Sequence, residues 1–236
     1  MWIQLENKIS SCYGAYMPER PLRRDAERNR QLLLETAHAL MARDGLEVTY
    51  EEIAIAAGTG MGTVYRRFPD RQKLVDILFA EHIDAVVELA RQACQSDNPW
   101  TGLTWFMEQQ LELEAGNRGL GQLLRGGRQS SELVMRGRAQ ITPLVTDLLE
   151  RAIRSHQLPA TVMPADLVTI HLMVGAVMDA ARHIDPDLWR RALTMALTGL
   201  RHAELPVRQP DDELIDRLFG VPATARDKKA ANEPAE

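Results

Sequence analysis

Ile53-Ala-Ile-Ala-Ala-Gly-Thr-Gly-Met-Gly-Thr-Val-Tyr-Arg-Arg-Phe-Pro-Asp-Arg-Gln-Lys-Leu74 is the stretch whose reading decides the fold. Just ahead of it, Thr49-Tyr-Glu-Glu52 has the capping-box pattern, in which a hydroxyl and a carboxylate satisfy the free amide groups at a helix start. The helix so begun has only Ile53, Ala54 and Ala57 as an inner face before Gly58 ends it. After Gly58-Thr59-Gly60, a second short helix from Met61 to Arg67 turns Val64 inward and Thr63, Tyr65 and Arg66 outward. Two short helices joined by a tight glycine turn make a helix-turn-helix. Phe68-Pro69-Asp70 then breaks the chain, with Pro69 enforcing the break and Asp70 placed to cap the next helix.

Outward from this core the pattern stays helical. Upstream, Leu33, Ala37, Leu40 and Met41 lie on one face of a helix from near Arg24 to Gly45, a natural left-handed cap. Downstream, Leu74, Leu78, Ala85 and Leu89 mark a long helix that stops at Ser96-Asp97-Asn98-Pro99. Further helices are expected over Trp100 to Ala115, Leu120 to Leu124, and Ser130 to His156 with a kink at Pro143. Leu167 to Ala181 is the next, and Asp185-Pro186 opens the last, which runs to about Ala203. Nothing reads as a strand, so the expected class is all-α. The expected units are an extension with a basic arm (1–22), a helix-turn-helix domain (23–82), a larger helical domain (83–205) and a flexible tail (206–236).

Composition narrows the function classes. The 236 residues are 45% hydrophobic and 26% charged, which excludes a disordered or collagen-like chain. Cys12 and Cys94 stand far apart with no CxxC or histidine-rich spacing, so neither a metal site nor a disulfide framework is expected, and the thiols fit a reduced, cytoplasmic setting. Leu167 to Ala181 carries His171 and Asp179 and is short for a membrane span. The net charge of −5 hides an uneven distribution. Arg20, Arg23, Arg24, Arg28 and Arg30 face only Asp25 and Glu27, and Arg66, Arg67, Arg71 and Lys73 face only Asp70, a local excess of +3 in each case. Basic clustering on one small domain suits phosphate contact.

Competing motifs do not hold. Gly58-x-Gly60-x-Gly62 lacks the preceding strand of a dinucleotide loop, and no Walker A, HExxH or GxSxG sequence occurs. The six histidines are scattered, and Glu108, Glu112 and Glu114 read as the solvated face of an amphipathic helix. No catalytic residue and no cofactor is expected.

From about Arg24 to His82 the chain resembles the DNA-binding region of TetR/AcrR transcriptional regulators. The likeness rests on the Ala-Gly turn, Gly62-Thr63-x-Tyr65, Phe68 before a break, and the start of the following helix at Lys73-Leu74. Pro99-Trp100 to Leu120, with Asn117-Arg118-Gly119-Leu120, resembles the SbtR-like C-terminal half of some members. One departure is Gly60, where the family often has serine or another side-chain cap, which removes any hydroxyl contact to phosphate from that position. The resemblance implies a homodimeric repressor released from a palindromic DNA operator by a small molecule. It implies base or backbone contacts from Gly60, Met61, Gly62, Thr63, Tyr65 and Arg66, and phosphate contacts from Thr49, Arg71, Lys73 and the arm at Arg24. A helical enzyme or adaptor reusing the fold is the alternative.

Two further expectations concern the larger domain. Trp100, Leu103, Phe106, Met107 and Leu111 recur at helical spacing, with Leu124 and Met135 on neighbouring segments, and are expected to line an apolar ligand pocket. Arg118, Arg125 and Arg128 are the basic residues that could turn inward there. Leu167, Ile170, Val174 and Val177, with Leu193, Ala196, Leu197 and Leu200, are expected to pair with a second copy as a four-helix bundle.

Overall fold

The computed structural model describes residues 19–126, 132–202 and 204, with side chains from residue 26 onward. Expectations for residues 1–18, Arg128 and the tail beyond 204 lie outside the described residues. The described residues form α-helices with no strand: α1 (Glu19–Asp44), α2 (Tyr50–Ala56), α3 (Met61–Arg67), α4 (Arg71–Cys94), α5 (Pro99–Gly116), α6 (Arg118–Leu124), α7 (Glu132–Arg154), α8 (Pro164–Ala181) and α9 (Leu188–His202).

Local chemistry sets the ends of the small helices. Gly45 takes φ 94° beyond α1, and its N–H returns to the Met41 carbonyl at 2.9 Å. At the end of α2, Gly58 takes φ 63° while Thr59 N–H donates to Ala54 O and Gly58 N–H to Ile55 O, the paired bonds of a Schellman cap. Asp70 accepts from the N–H groups of Gln72 and Lys73 to open α4. Asn98 accepts from Thr101 N–H ahead of Pro99, so the helix start loses no donor that it needs.

Helix α1 begins at Glu19, five residues before the expected start, because Pro21 falls in the first turn, where its missing N–H has no intrahelical partner to lose. Arg20, Arg23 and Arg24 therefore lie on helix backbone. The stripe of α4 also differs. Ala85 is exposed and Leu78 and Leu89 are half-buried, while Leu74, Val75, Phe79, Ile83, Val86, Val87, Ala90 and Ala93 are buried. The helix serves two cores and is covered on more than one side, which a single stripe does not describe. Pro143 sits on the exposed side of a helix that runs without interruption, where water can take up the carbonyl that the proline cannot reach.

In the first layer, α1 packs on α2, α2 on α3, and α1 also on α4. In the larger domain α4, α5 and α7 pack together, and α8 and α9 pair against α5. Helix α6 lies between the two layers, in contact with both α1 and α5. Gly119 makes the approach to α1 possible: a Cβ there would stand 2.8 Å from both the Met41 carbonyl oxygen and the Phe79 ring.

Helix α8 starts at Pro164, three residues earlier than expected, and reaches 18 residues with a mean hydropathy of 1.3. By length and composition it could cross a membrane, and a third of it is buried within this chain. Its inner face explains most of its apolar content. Leu167, Ile170 and Val174, like Leu193, Leu197 and Leu200 on α9, are buried inside the chain, and Val177 and Ala196 are half-buried. This corrects the expected dimer surface for six of its eight residues, which form the core faces of the two helices, whereas Val177 and Ala196 keep partly open surface. Thr169, Met173, Ala176 and Ala180 on α8, and Arg191, Met195, Thr198 and Gly199 on α9, form the exposed faces.

Candidate nucleic-acid interface and ligand cavity

The helix-turn-helix is held from inside by a small cluster. Val64 on α3 is 0% exposed, packed with buried Ile53, Ala54 and Phe68. The Tyr50 hydroxyl donates to the Phe68 carbonyl at 2.7 Å, which fixes the break after α3. Thr49 completes the expected capping box: Glu52 N–H donates to its hydroxyl, and its own N–H donates to the Glu52 carboxylate at 2.6 Å. Those backbone and hydroxyl bonds hold the Glu52 carboxyl below its ordinary value.

The outer face of α3 is open. Met61 is 50% and Tyr65 52% exposed, Gly62 and Arg66 are exposed, and Thr63 is half-buried. The Tyr65 ring meets Tyr50 edge-on at 4.8 Å, so its direction is set by a buried neighbour while about half of the residue stays exposed. Gly60 caps α3 through backbone alone. Thr49 and Lys73 are exposed at the starts of the flanking helices. Arg24 lies on α1.

Arg71 stands apart from the other expected phosphate contacts. Its guanidinium donates to the carbonyls of Leu46 and Val48, at 2.5 Å each, and lies over the Tyr50 ring. It ties α4 to the α1–α2 connection. The role of Tyr50 is not legible in sequence, where it is only a filler inside the capping box.

The larger domain holds a half-open cavity of about 150 Å³ between α4, α5, α6, α7 and α8. Of the expected lining residues, Phe106, Met107, Leu111 and Leu124 border it. Leu103 is buried in the core, Trp100 lies in a separate groove with Arg201, and Met135 is not on the wall. The wall also carries Gln110, Arg138, Thr142, Thr146 and His171, polar groups that apolar periodicity could not have found.

Behind this wall sits a buried charge cluster, a correction to the expected solvated acidic face. Glu114 is 0% exposed, accepts from Arg125 at 2.5 Å and lies 2.6 Å from His171 Nε2. Arg125 also reaches Asp179, which holds Arg182. Glu108 and Glu112 remain outside, paired with Arg190. Of the candidate inward arginines, Arg125 does turn in. Removing one partner of such a buried set leaves an uncompensated charge, at a cost of about 3–5 kcal/mol.

A short reading helix with an open polar face, seated on a buried triad and joined by a long helix to a second helical domain, defines a helix-turn-helix regulator of transcription. Residues 33–77 match the model for bacterial regulatory proteins of the tetR family, and residues 98–202 that for the SbtR-like C-terminal domain. The chain belongs to the TetR family of transcriptional regulators.

An HTH-type transcriptional regulator of Staphylococcus aureus is 36% identical over 72 residues, 30% of this chain and 39% of that protein. The likeness thus spans well under half the length of that relative. Among solved structures, a TetR regulatory protein from Mycobacterium vanbaalenii is 32% identical, with 77% of this chain and 99% of that one covered and a TM-score of 0.42. FadR from Bacillus subtilis, solved in complex with stearoyl-CoA, is 16% identical, with 73% and 98% covered and a TM-score of 0.56, a likeness of fold.

Proposed function

We propose that this regulator is a homodimeric repressor that reads a palindromic DNA operator with two copies of α3 and is released by a small molecule in the cavity. The observation that carries this reading is the division of α3, with Val64 sealed inside while Met61, Tyr65 and Arg66 are open to solvent, Arg66 on the side opposite Val64. Arg66 suits a base edge or phosphate, Met61 an apolar base contact, and Tyr65, Thr63, Thr49 and Lys73 the backbone. A two-fold dimer sets two reading helices about one DNA turn apart, roughly 34–36 Å, hence the palindrome.

Dimerisation is assigned to the outer faces of α8 and α9, where Met173, Ala176 and Ala180 on α8 and Met195 and Gly199 on α9 are exposed. Small residues and methionines let two such pairs approach closely. Release occurs if the effector favours a dimer whose reading helices no longer fit successive grooves, to the extent of its differential affinity for the two forms. FadR holds stearoyl-CoA, which supports a ligand-binding body for this fold, although a cavity of about 150 Å³ is far too small for such a molecule. A regulator of this kind acts in the cytoplasm.

Selection of bound sequences from random duplex pools, followed by mobility shifts at two salt concentrations, tests the reading. A palindromic consensus bound in a steeply salt-dependent way is expected. Failure to prefer any duplex would favour a helical enzyme or adaptor on the same fold.

A further inference from the structure

Three polar groups of the cavity gather at one end, while Thr142 and Thr146 continue along α7. Gln110 on α5, His171 on α8 and Arg138 on α7 lie near Leu124 at the end of α6, whereas Phe106, Val145 and Pro164 lie one or more turns away along the same three helices. At the polar end, the bonds to Glu114 decide what is offered to a ligand. His171 Nε2 stands 2.6 Å from Glu114 Oε1, so this nitrogen carries a proton and donates it to the carboxylate. Gln110 Nε2 donates to the same oxygen at 3.2 Å. Both side chains thus turn nitrogen donors toward Glu114. What these bonds leave over on the amide is the Gln110 carbonyl oxygen, an acceptor.

Neither side chain can reverse this assignment cheaply. Turning the amide or the imidazole round would strip a fully buried carboxylate of a donor, and Glu114 is itself pinned by Arg125. Arg138 donates to the Leu124 carbonyl at 3.1 Å, at the negative end of α6. Behind the wall, Glu114 and Asp179 balance Arg125 and Arg182. A second carboxylate arriving in the cavity would meet the Gln110 carbonyl with Glu114 behind it, as well as the Arg138 guanidinium already bonded to Leu124 O, whereas a hydroxyl would find a partner for its proton.

Size sets the rest. A cavity of about 150 Å³ is at the scale that holds one benzene-sized ring and well below the ~300–1,000 Å³ of sites for larger ligands. Phe106, Met107, Leu111 and Leu124 supply aromatic, thioether and aliphatic surface for such a ring.

We propose that the cavity takes a neutral, protic molecule of one-ring size, a phenol-like compound. Its hydroxyl donates to the Gln110 carbonyl, beside His171, while its ring lies among Phe106, Met107, Leu111 and Leu124. The proposal rests on reading the cavity as the effector site.

The test compares phenol, benzene and benzoate by thermal shift and calorimetric titration on the full chain, the Gln110→Leu variant and the His171→Phe variant. Expected is a saturable rise in Tm of roughly 3 °C with phenol, and affinities at least tenfold weaker for benzene and benzoate. In Gln110→Leu, phenol should fall to the level of benzene while benzene is unchanged. His171→Phe serves as the second variant, with its unliganded Tm checked first. Benzoate binding as tightly as phenol, or phenol unaffected in both variants, overturns the ligand class. So does the binding of none of the three by a chain that still selects duplex DNA, an outcome that leaves the regulator reading standing. Phenol bound as expected with operator affinity unchanged upholds the ligand class and overturns the release mechanism instead.

Discussion

The backbone N–H of Leu46 donates to Gln122 Oε1 at 2.7 Å, joining the turn after α1 to α6 across 76 positions of chain. The two residues belong to the reading domain and to the helix that borders the cavity. Gly45 makes room for the bond, since a Cβ there would stand 2.5 Å from Gln122 Oε1, and its φ of 94° disfavours any other residue. Gly45→Ala should therefore displace Gln122 as well as strain the turn, and lower stability by more than the roughly 1 kcal/mol that Gln122→Ala loses as one neutral hydrogen bond. Urea unfolding of both variants checks the order. If the bond also carries the effector signal, Gln122→Ala should keep operator affinity within about threefold yet weaken its response to the effector.

Arg66→Ala should reduce operator affinity by about 1–3 kcal/mol and relax base preference at one position of the half-site. Tyr65→Ala should weaken all sequences alike. Mobility-shift titrations on the selected operator and on scrambled DNA separate the two effects, and unchanged affinity in the double variant would remove α3 from the role of reader.

Arg71 and Lys73 should part company. Arg71→Ala loses two charge-assisted bonds to carbonyls and the contact with Tyr50, so it should destabilise the reading domain by about 2–3 kcal/mol. Lys73→Ala, exposed at the start of α4, should leave the urea midpoint in place and flatten the salt dependence of DNA binding by about one unit of slope.

Charge placed on the two faces of α9 should have opposite consequences. Met195 is 66% exposed and Leu197 is buried. Met195→Glu should yield a folded monomer by light scattering, with native helicity by circular dichroism. Leu197→Glu should lose the fold itself, since it puts a carboxylate into the α8–α9 core without a partner.

Acid should weaken the junction of α1 and α4. Burial, and next the neighbouring His38, push the His82 pKa below its ordinary value of 6.5. The native state thus holds fewer protons on His82 than the unfolded chain does. Its contribution to stability is whole above pH 6.5 and is lost as pH falls from there through the lowered native value. Urea midpoints at pH 7.5 and 5.5 should differ less in His82→Gln than in the parent chain.

The helix-turn-helix is legible because its signals are local: Thr49 and Glu52 cap each other, Gly58 takes the left-handed cap, and Pro69 with Asp70 restarts the chain within a few residues of one another. What stays illegible depends on assembly. Phe79 and Ile83 are core because α4 is covered on more than one side, which no single periodicity encodes. Glu114 looks like its neighbours Glu108 and Glu112, and only the meeting of α5 with α6 and α8 buries it beside Arg125 and His171. Leu167 and Leu197 read as surplus for a partner because a core stripe and a docking stripe share one period. The sequence says that each helix has an apolar face, not what covers it.

Helix α4 is long enough to act as a lever. From Arg71 to Val86 it rises roughly 22 Å, its start clamped by Arg71 to the reading domain and Val86, two turns before its end, forming part of the cavity wall. Pivoted at Val86, a tilt of only about 8° would carry the Arg71 end through roughly 3 Å, close to the ~3.4 Å step of one base pair along a DNA strand. If α4 carries the release proposed above, fit or misfit between protein and groove would turn on displacements beside Val86 smaller than a single bond length, and side chains that never approach DNA would govern how well it is held.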